Sequence, residues 1–463
     1  MGFKDLPINE LINHEFDCSC GKKHIANIEN IAVGKGVIEK VTDFLATQKL
    51  RDGSTLTTED KIFFVSDVNT HAVAGEKVEA MVKAAGYPTA SYIFPYKSMH
   101  AEEQYANEIR EAMPEDTKLL IAVGSGTIND LSRYVAFNAG IPYYIVATAP
   151  SMDGYTSNVS PLVLNNLKIT YGAQCAEAII GDTDILATAP DVMIAAGLGD
   201  VLGKYLAIND WKLSQIINDE YYCPEVGELV LYSVKKCVDT VPGLVKRDSD
   251  ALQYLMESLV LIGIAMSYIG FSRPASASEH HISHFLEMKS IFQHEYGELH
   301  GTCVGMATCI VSDMYAKFLT MNMDYDKARE HAESFDYSTW ESEINRSFGL
   351  GAPEVIKLYN EVHQNDPENV EKRIDAIQNH EAKIVALIEQ VVEDTQKAPE
   401  LLEALHGLTS PAQWEKWHIT KEDFKDILMY AKELRNRYAA LQFFYDMGVL
   451  EELADYICDK YFN

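Results

Sequence analysis

Five of the 14 histidines in this 463-residue chain fall between Ser278 and Gly301, in SEHHISHFLEMKSIFQHEYGELHG. His280 and His284 are spaced to share one face of a helix, and His300 opens the next helical run directly before Gly301. Upstream, Ala195-Ala196-Gly197-Leu198-Gly199-Asp200 begins another apolar-periodic helix, so Asp200 can add a carboxylate to two imidazoles. One carboxylate with two imidazoles suits a divalent ion such as zinc, nickel or iron and leaves positions open for a substrate oxygen. On spacing alone, a chance cluster of histidines on a surface helix fits equally well.

A second group of residues could hold a nucleotide. Val123-Gly124-Ser125-Gly126-Thr127-Ile128-Asn129-Asp130 follows a predicted strand and opens a predicted helix. The two glycines let backbone approach a ligand, and the open N–H groups of the helix start then face a pyrophosphate. This is a short G-x-G, not the full dinucleotide fingerprint. Asp67 stands at the end of the KIFFVS strand, where a carboxylate can accept from ribose hydroxyls and favour NAD over NADP. It can equally cap the helical run that starts near Thr70. The segment Thr148 to Ser157, TAPSMDGYTS, places small hydroxyl residues around one acid at the end of the next strand. Ligands bind at such ends in open α/β sheets, although plain turn chemistry also uses Ser, Asp and Gly.

Short β-rich runs alternate with helical ones from about residue 30 to 150, the order of a parallel sheet with crossover helices. The strands expected are Lys61–Ser66, Ser91–Phe94, Lys118–Val123 and Tyr143–Ala147, with Leu167–Tyr171 and Ala178–Asp182 following. Beyond Pro190 the chain reads as helix to its end. Two domains follow: an α/β nucleotide-binding domain over 1–188 and an all-α metal- and substrate-binding domain over 189–463. Within the latter, about 324–421 reads as an acidic, solvent-facing helical insertion.

The balance of 39 Lys and Arg against 69 Asp and Glu gives a formal charge of −30, which argues against nucleic acid or an anionic membrane as partner. Anionic ligands then need local cations, for which Lys204, Arg273 and Lys168 are nearest the motifs. The eight cysteines are widely spread and no apolar run is long enough to cross a bilayer, so a reducing cytoplasm is expected. Cys18-Ser19-Cys20-Gly21 with His24 reads better as a hairpin than as the usual zinc spacing.

Taken together, CSCGKKH, GSGTIND, TAPSMDGYTSNVSPL, IIGDTDIL, AAGLGDVLGKYLAINDWKL, SRPASASEHHISH, the later HG and RNRYAALQFFYDMGVLEEL resemble the sn-glycerol-1-phosphate dehydrogenase family. That family lies within the iron-containing alcohol dehydrogenase and dehydroquinate synthase-like superfamily. The resemblance implies an α/β N-terminal nucleotide-binding domain with a parallel sheet, an all-α C-terminal domain, and a homodimer. It implies Asp200, His280 and His300 as ligands of one divalent metal ion, with Asp153, Asp200 and His284 at the substrate. Gly124, Ser125, Gly126, Thr127, Ile128, Thr148 and Ser151 would hold NAD or NADP, with Asp67 on the adenosine ribose and Ser157 near the nicotinamide. His281, the extra histidine, would stand aside from the ligands.

The reaction expected from the resemblance is reversible hydride transfer between NAD(P)H and dihydroxyacetone phosphate, giving sn-glycerol 1-phosphate, with Asp200 and His284 catalytic. Arg273 and Lys204 are the expected phosphate contacts. A glycerol dehydrogenase, a dehydroquinate synthase-like lyase and an inactive nucleotide-binding protein remain open at this point.

Overall fold

The computed structural model describes residues 2–164, 167–292, 297–409 and 419–462. The chain forms two compact units, Met1–Val201 with Glu228–Phe271, and Leu202–Gly227 with Ser272–Asn463.

The first unit is built on a parallel sheet. A small antiparallel hairpin of β1 (Phe16–Asp17) and β2 (Lys23–His24) precedes β3 (Asn30–Gly34), β4 (Lys61–Asp67), β5 (Thr89–Phe94), β6 (Thr117–Gly124) and β7 (Tyr143–Ala147). A second hairpin of β8 (Val159–Leu164) and β9 (Leu167–Gly172) leads to β10 (Ala178–Asp182). The six-stranded order is β3-β10-β7-β6-β4-β5. All its pairings are parallel, and β6, β7 and β10 are almost continuously buried because crossover helices cover a sheet of this kind on both faces. Helices α1 (Lys40–Thr47), α2 (Glu76–Ala84), α3 (Glu103–Ala112) and α4 (Gly126–Ala139) make these crossovers. The chain runs from β4 outward to β5 and returns to the other side of β4 as β6. The order therefore reverses between β4 and β6, and that crevice at the carboxyl ends is where open sheets bind ligands.

The sequence places a boundary at 188/189, yet the compact units divide at 201/202, and Glu228–Phe271 returns to the first. The change at Pro190 marks the end of the strands rather than a change of packing. Helix α5 (Asp191–Asn218) begins just after Pro190 and continues unbroken past residue 201, and α6 (Pro224–Asp239) and α7 (Ser249–Ile269) belong largely or wholly to the sheet unit. Helix α7 is long and apolar enough to suit a bilayer, but it packs on β3 and is mostly buried.

The second unit is all helix. Its α8 (Ser278–Phe292) and α9 (His300–Phe318) pack together, and a single hydrophobic cluster joins them to later helices. The acidic region is part of that cluster. Val370, Ile374, Ile377, Ile384 and Ile388 bury one face of Pro367–Asn379 and Glu381–Thr395, leaving their charges on the other. Phe285 of α8 stacks on Phe348 at 4.4 Å, while Arg373 forks onto Asp446 at 2.7 and 2.8 Å. The segment thus keeps its charges on a solvated face, as its acidity suggests, while its other face forms part of the core.

Candidate active site

In the first unit, the strand ends bring the nucleotide candidates together. Gly124 ends β6, and a Cβ there would lie 2.5 Å from Cβ of Ile128, so glycine is required for the chain to turn tightly into α4. Ile128 is buried beneath this turn. Ser125 occupies the cap position of α4, and its Oγ lies 2.6 Å from Oγ of Ser151. Thr148 N–H donates to Gly124 O at 3.0 Å, joining the loop after β7 to the glycine turn. Gly126 has room, with only Met152 at 3.5 Å, and the Thr127 hydroxyl donates to Met99 O at 3.4 Å. Asp67 caps the short helix Val68–Thr70, its Oδ1 accepting from Asn69 N at 2.7 Å and Thr70 N at 3.0 Å. Ser157 donates to Val159 O at 3.0 Å and accepts from Val159 N at 3.1 Å, so its hydroxyl shapes the turn before β8.

Asp153 and Asp200 are joined in the same unit through the backbone of the former. Asp153, nearly buried on the loop after β7, donates its N–H to Oδ2 of fully buried Asp200 on α5 at 2.9 Å. This close seating depends on Gly197, where a Cβ would stand only 1.8 Å from Pro150 O. Gly263 plays the same part on α7, because its Cβ would collide with Thr156 Oγ1.

In the second unit, three imidazoles converge. Ring centroids lie 5.8 Å apart for His280 and His284, 5.1 Å for His280 and His300, and 5.7 Å for His284 and His300. His280 Nδ1 pairs with Glu279 Oε1 at 2.8 Å and His300 Nδ1 with Glu287 Oε1 at 2.7 Å. A carboxylate on Nδ1 fixes the ring and directs Nε2 as the ligand nitrogen, the usual support of a metal-bound histidine. Burial, followed by the Lys204 charge and the neighbouring imidazoles, holds His280 well below the ordinary histidine range, in the neutral form a ligand needs. Burial and Asp210, opposed by Lys204, push the Glu279 carboxyl up to about 8.

Asp210 positions these groups and was missed in the sequence. Fully buried on α5, it accepts from Ser278 Oγ at 2.6 Å, Ser278 N at 3.3 Å, Ala440 N at 3.1 Å and Tyr315 O–H at 2.7 Å. It therefore pins the start of α8 directly before His280. Gly203, whose Cβ would lie 2.7 Å from Val304 and 3.1 Å from Glu279, lets α5 approach α8 and α9.

The cations divide. Lys204 is buried close enough to His280 to act on it. Arg273 is fully buried and forks onto Glu220 at 3.0 and 2.7 Å while also donating to Tyr438 O at 2.7 Å. Its Nε and Nη2 are engaged in this way, while its Nη1 makes no hydrogen bond among the described residues. His281 is buried, makes no hydrogen bond at either nitrogen, and is held neutral by burial and by Arg437, Arg435 and Arg273. Arg435 and Arg437, overlooked in RNRYAAL, thus share one neighbourhood with Arg273. Burial and the other two arginines push Arg437 down to about 10. Only the clustering of arginines in that motif could have signalled them. His294 lies outside the described residues, as does the side chain of Lys168.

A switch-point glycine turn in an α/β unit, with clustered imidazoles in a helical one, defines a dehydrogenase of the iron-containing alcohol dehydrogenase type, and the model of that family matches residues 32–190. The glycerol-1-phosphate dehydrogenase [NAD(P)+] of Halalkalibacterium halodurans is 30% identical over 86% of this chain and 88% of its own. That of Bacillus licheniformis is 29% identical over 94% of both chains. The chain belongs to the sn-glycerol-1-phosphate dehydrogenase family, and it is an oxidoreductase of the NAD(P)-dependent alcohol dehydrogenase class. Among solved structures, glycerol dehydrogenase from Schizosaccharomyces pombe has a TM-score of 0.57 at 15% identity, covering 94% of this chain and 91% of that one. Sulfoacetaldehyde reductase from Bifidobacterium kashiwanohense in complex with NAD+ has a TM-score of 0.58 at 15% identity, covering 93% and 96%. These two show the shared fold.

Proposed function

We propose that the chain catalyses the reversible, NAD(P)H-dependent reduction of dihydroxyacetone phosphate to sn-glycerol 1-phosphate, with one divalent ion held by Asp200, His280 and His300. The imidazole cluster carries this reading, because two of its rings have Nδ1 fixed by a glutamate. One carboxylate and two imidazoles are the donors such an ion takes, with positions left open for a substrate oxygen. Bound there, the ion supplies Lewis acidity to a carbonyl and the nicotinamide supplies hydride.

The chain's own residues do the rest. The Gly124–Ile128 turn and the start of α4 face the pyrophosphate, Asp67 takes the adenosine ribose, and Thr148, Ser151 and Ser157 border the nicotinamide half. Asp153 and Asp200 orient the substrate hydroxyls, and His284 delivers the proton that the developing alkoxide needs. Lys204 neutralises charge beside His280. The substrate phosphate is assigned to Arg435 and Arg437, which together with Arg273 outnumber the nearby carboxylates of Glu220 and Glu279. The family resemblance further supports a cytoplasmic homodimer.

Purified protein given NADH and dihydroxyacetone phosphate should oxidise the cofactor and yield the sn-1 enantiomer. Formation of sn-glycerol 3-phosphate, or turnover of glycerol alone, would overturn the assignment. Changing both Arg435 and Arg437 to Ala should raise KM for dihydroxyacetone phosphate by about 10–100-fold and leave unphosphorylated dihydroxyacetone nearly unaffected. Equal effects on both substrates would remove the arginines from the phosphate. Glu287→Gln should weaken ion retention about 10–100-fold, read by competition with a chelator, because His300 loses the partner on its Nδ1.

A further inference from the structure

Away from the imidazole cluster, the N-terminal hairpin assembles a second set of soft donors. Strands β1 and β2 pair Phe16 with His24 and Asp17 with Lys23. The connecting turn closes through Cys18 N to Lys22 O at 3.1 Å and Gly21 N to Cys18 O at 3.0 Å, with Gly21 at a φ of +82°. This turn folds Cys18 and Cys20 back toward His24, so that one ligand atom of each lies within 4.8 Å of the others.

The geometry is that of a metal knuckle. Cys20 Sγ lies 3.3 Å from His24 Nε2. Zinc bonds of about 2.3 Å to sulfur and about 2.0 Å to nitrogen at a tetrahedral angle separate the two donors by about 3.5 Å. His24 is buried, and its Nδ1–H donates to Tyr268 O at 2.8 Å, which fixes the tautomer and presents Nε2 as an electron-pair donor toward the thiol. The ring is further held by a near-parallel stack on Tyr268 at 5.5 Å and by the edge of Phe3 at 5.8 Å. A hairpin that needed only a turn would not require two thiols and an oriented imidazole.

We propose that Cys18, Cys20 and His24 bind a structural zinc ion, separate from the catalytic metal, which ties down the N-terminal hairpin. Two thiolates and one oriented imidazole are donors of the kind that structural zinc sites use. The thiols bind as thiolates, so each gives up its proton to solvent when zinc enters. The spacing of the two thiols, one residue apart, departs from the common zinc pattern because the hairpin turn, not a longer knuckle, sets their separation.

Elemental analysis of the purified full-length protein tests this. His280→Ala should remove the catalytic ion yet retain about one zinc per chain. A mercurial thiol reagent should then release that zinc to a colorimetric chelator. Cys20→Ser should lose this equivalent and melt at a lower temperature. Cobalt exchanged into His280→Ala protein should show thiolate-to-cobalt charge-transfer absorption that is absent from Cys20→Ser. Metal-free His280→Ala protein, or an undiminished zinc content in Cys20→Ser, would overturn the proposal. Should Cys20→Ser fail to fold, the mercurial release and the cobalt spectrum of His280→Ala protein decide alone: both support the site, and neither overturns it.

Discussion

His280→Ala is expected to lower kcat/KM by ~10³-fold or more, since loss of one stabilising group at a developing oxyanion already costs about 10²–10³. The substitution removes a ligand nitrogen at the most buried of the three clustered imidazoles and leaves the Glu279 carboxyl without its ring partner. Metal content after exhaustive dialysis, measured beside steady-state rates, separates the causes. His284→Ala is the informative contrast, because it should keep the catalytic ion while losing about 10²–10⁴ in rate as its proton transfer fails. A His280→Ala enzyme that kept both ion and rate would show that the ligand set is wrong.

Asp210→Ala should destabilise the second unit by about 3–5 kcal/mol, several buried donors each costing about 1–3 kcal/mol when left unsatisfied. Ser278, Ala440 and Tyr315 would lose their acceptor at once. The Tyr315 hydroxyl cannot compensate by ionising, since burial, the largest cause of its raised pKa, persists without Asp210. Asp210→Asn keeps one acceptor oxygen and should fall between wild type and alanine. Thermal melts of the three proteins, with metal content as a second readout, check the order. An alanine variant that melted with the wild type would deny Asp210 its positioning role.

Much of the first unit is legible in the sequence because a buried parallel strand announces itself by composition. KLLIAV and YYIVA are apolar without interruption and appear within β6 and β7. β3 is not legible in this way, since IAV is short and runs directly into glycine. β8 lies within the stretch 155–185 that reads as further strand, although no separate piece is placed on it, and its Pro161 is tolerated because β8 pairs with β9 in a two-stranded ribbon. The glycine turn can be read from its strand-to-helix context, and the histidines from their type. Asp210, Arg435 and Arg437 cannot, because an acid or a base in a helix looks alike whether it is solvated or buried. What distinguishes them is which distant groups they meet, and that is a property of packing. Asp67 was open between a ribose contact and a cap, and the cap is present. The paired charge of Arg273 depends likewise on Glu220, fifty-three positions away.

Arg133 on α4 reaches Gly154 O and Val159 O while also holding the Tyr143 hydroxyl at 2.8 Å. Its guanidinium is wholly enclosed and bears on Asp130. The helix that starts at the glycine turn and the loop that carries Asp153 are therefore riveted into one rigid block. Any displacement of the glycine turn therefore carries the Asp153 loop with it, so one enclosed guanidinium sets how these two candidate binding elements stand to each other.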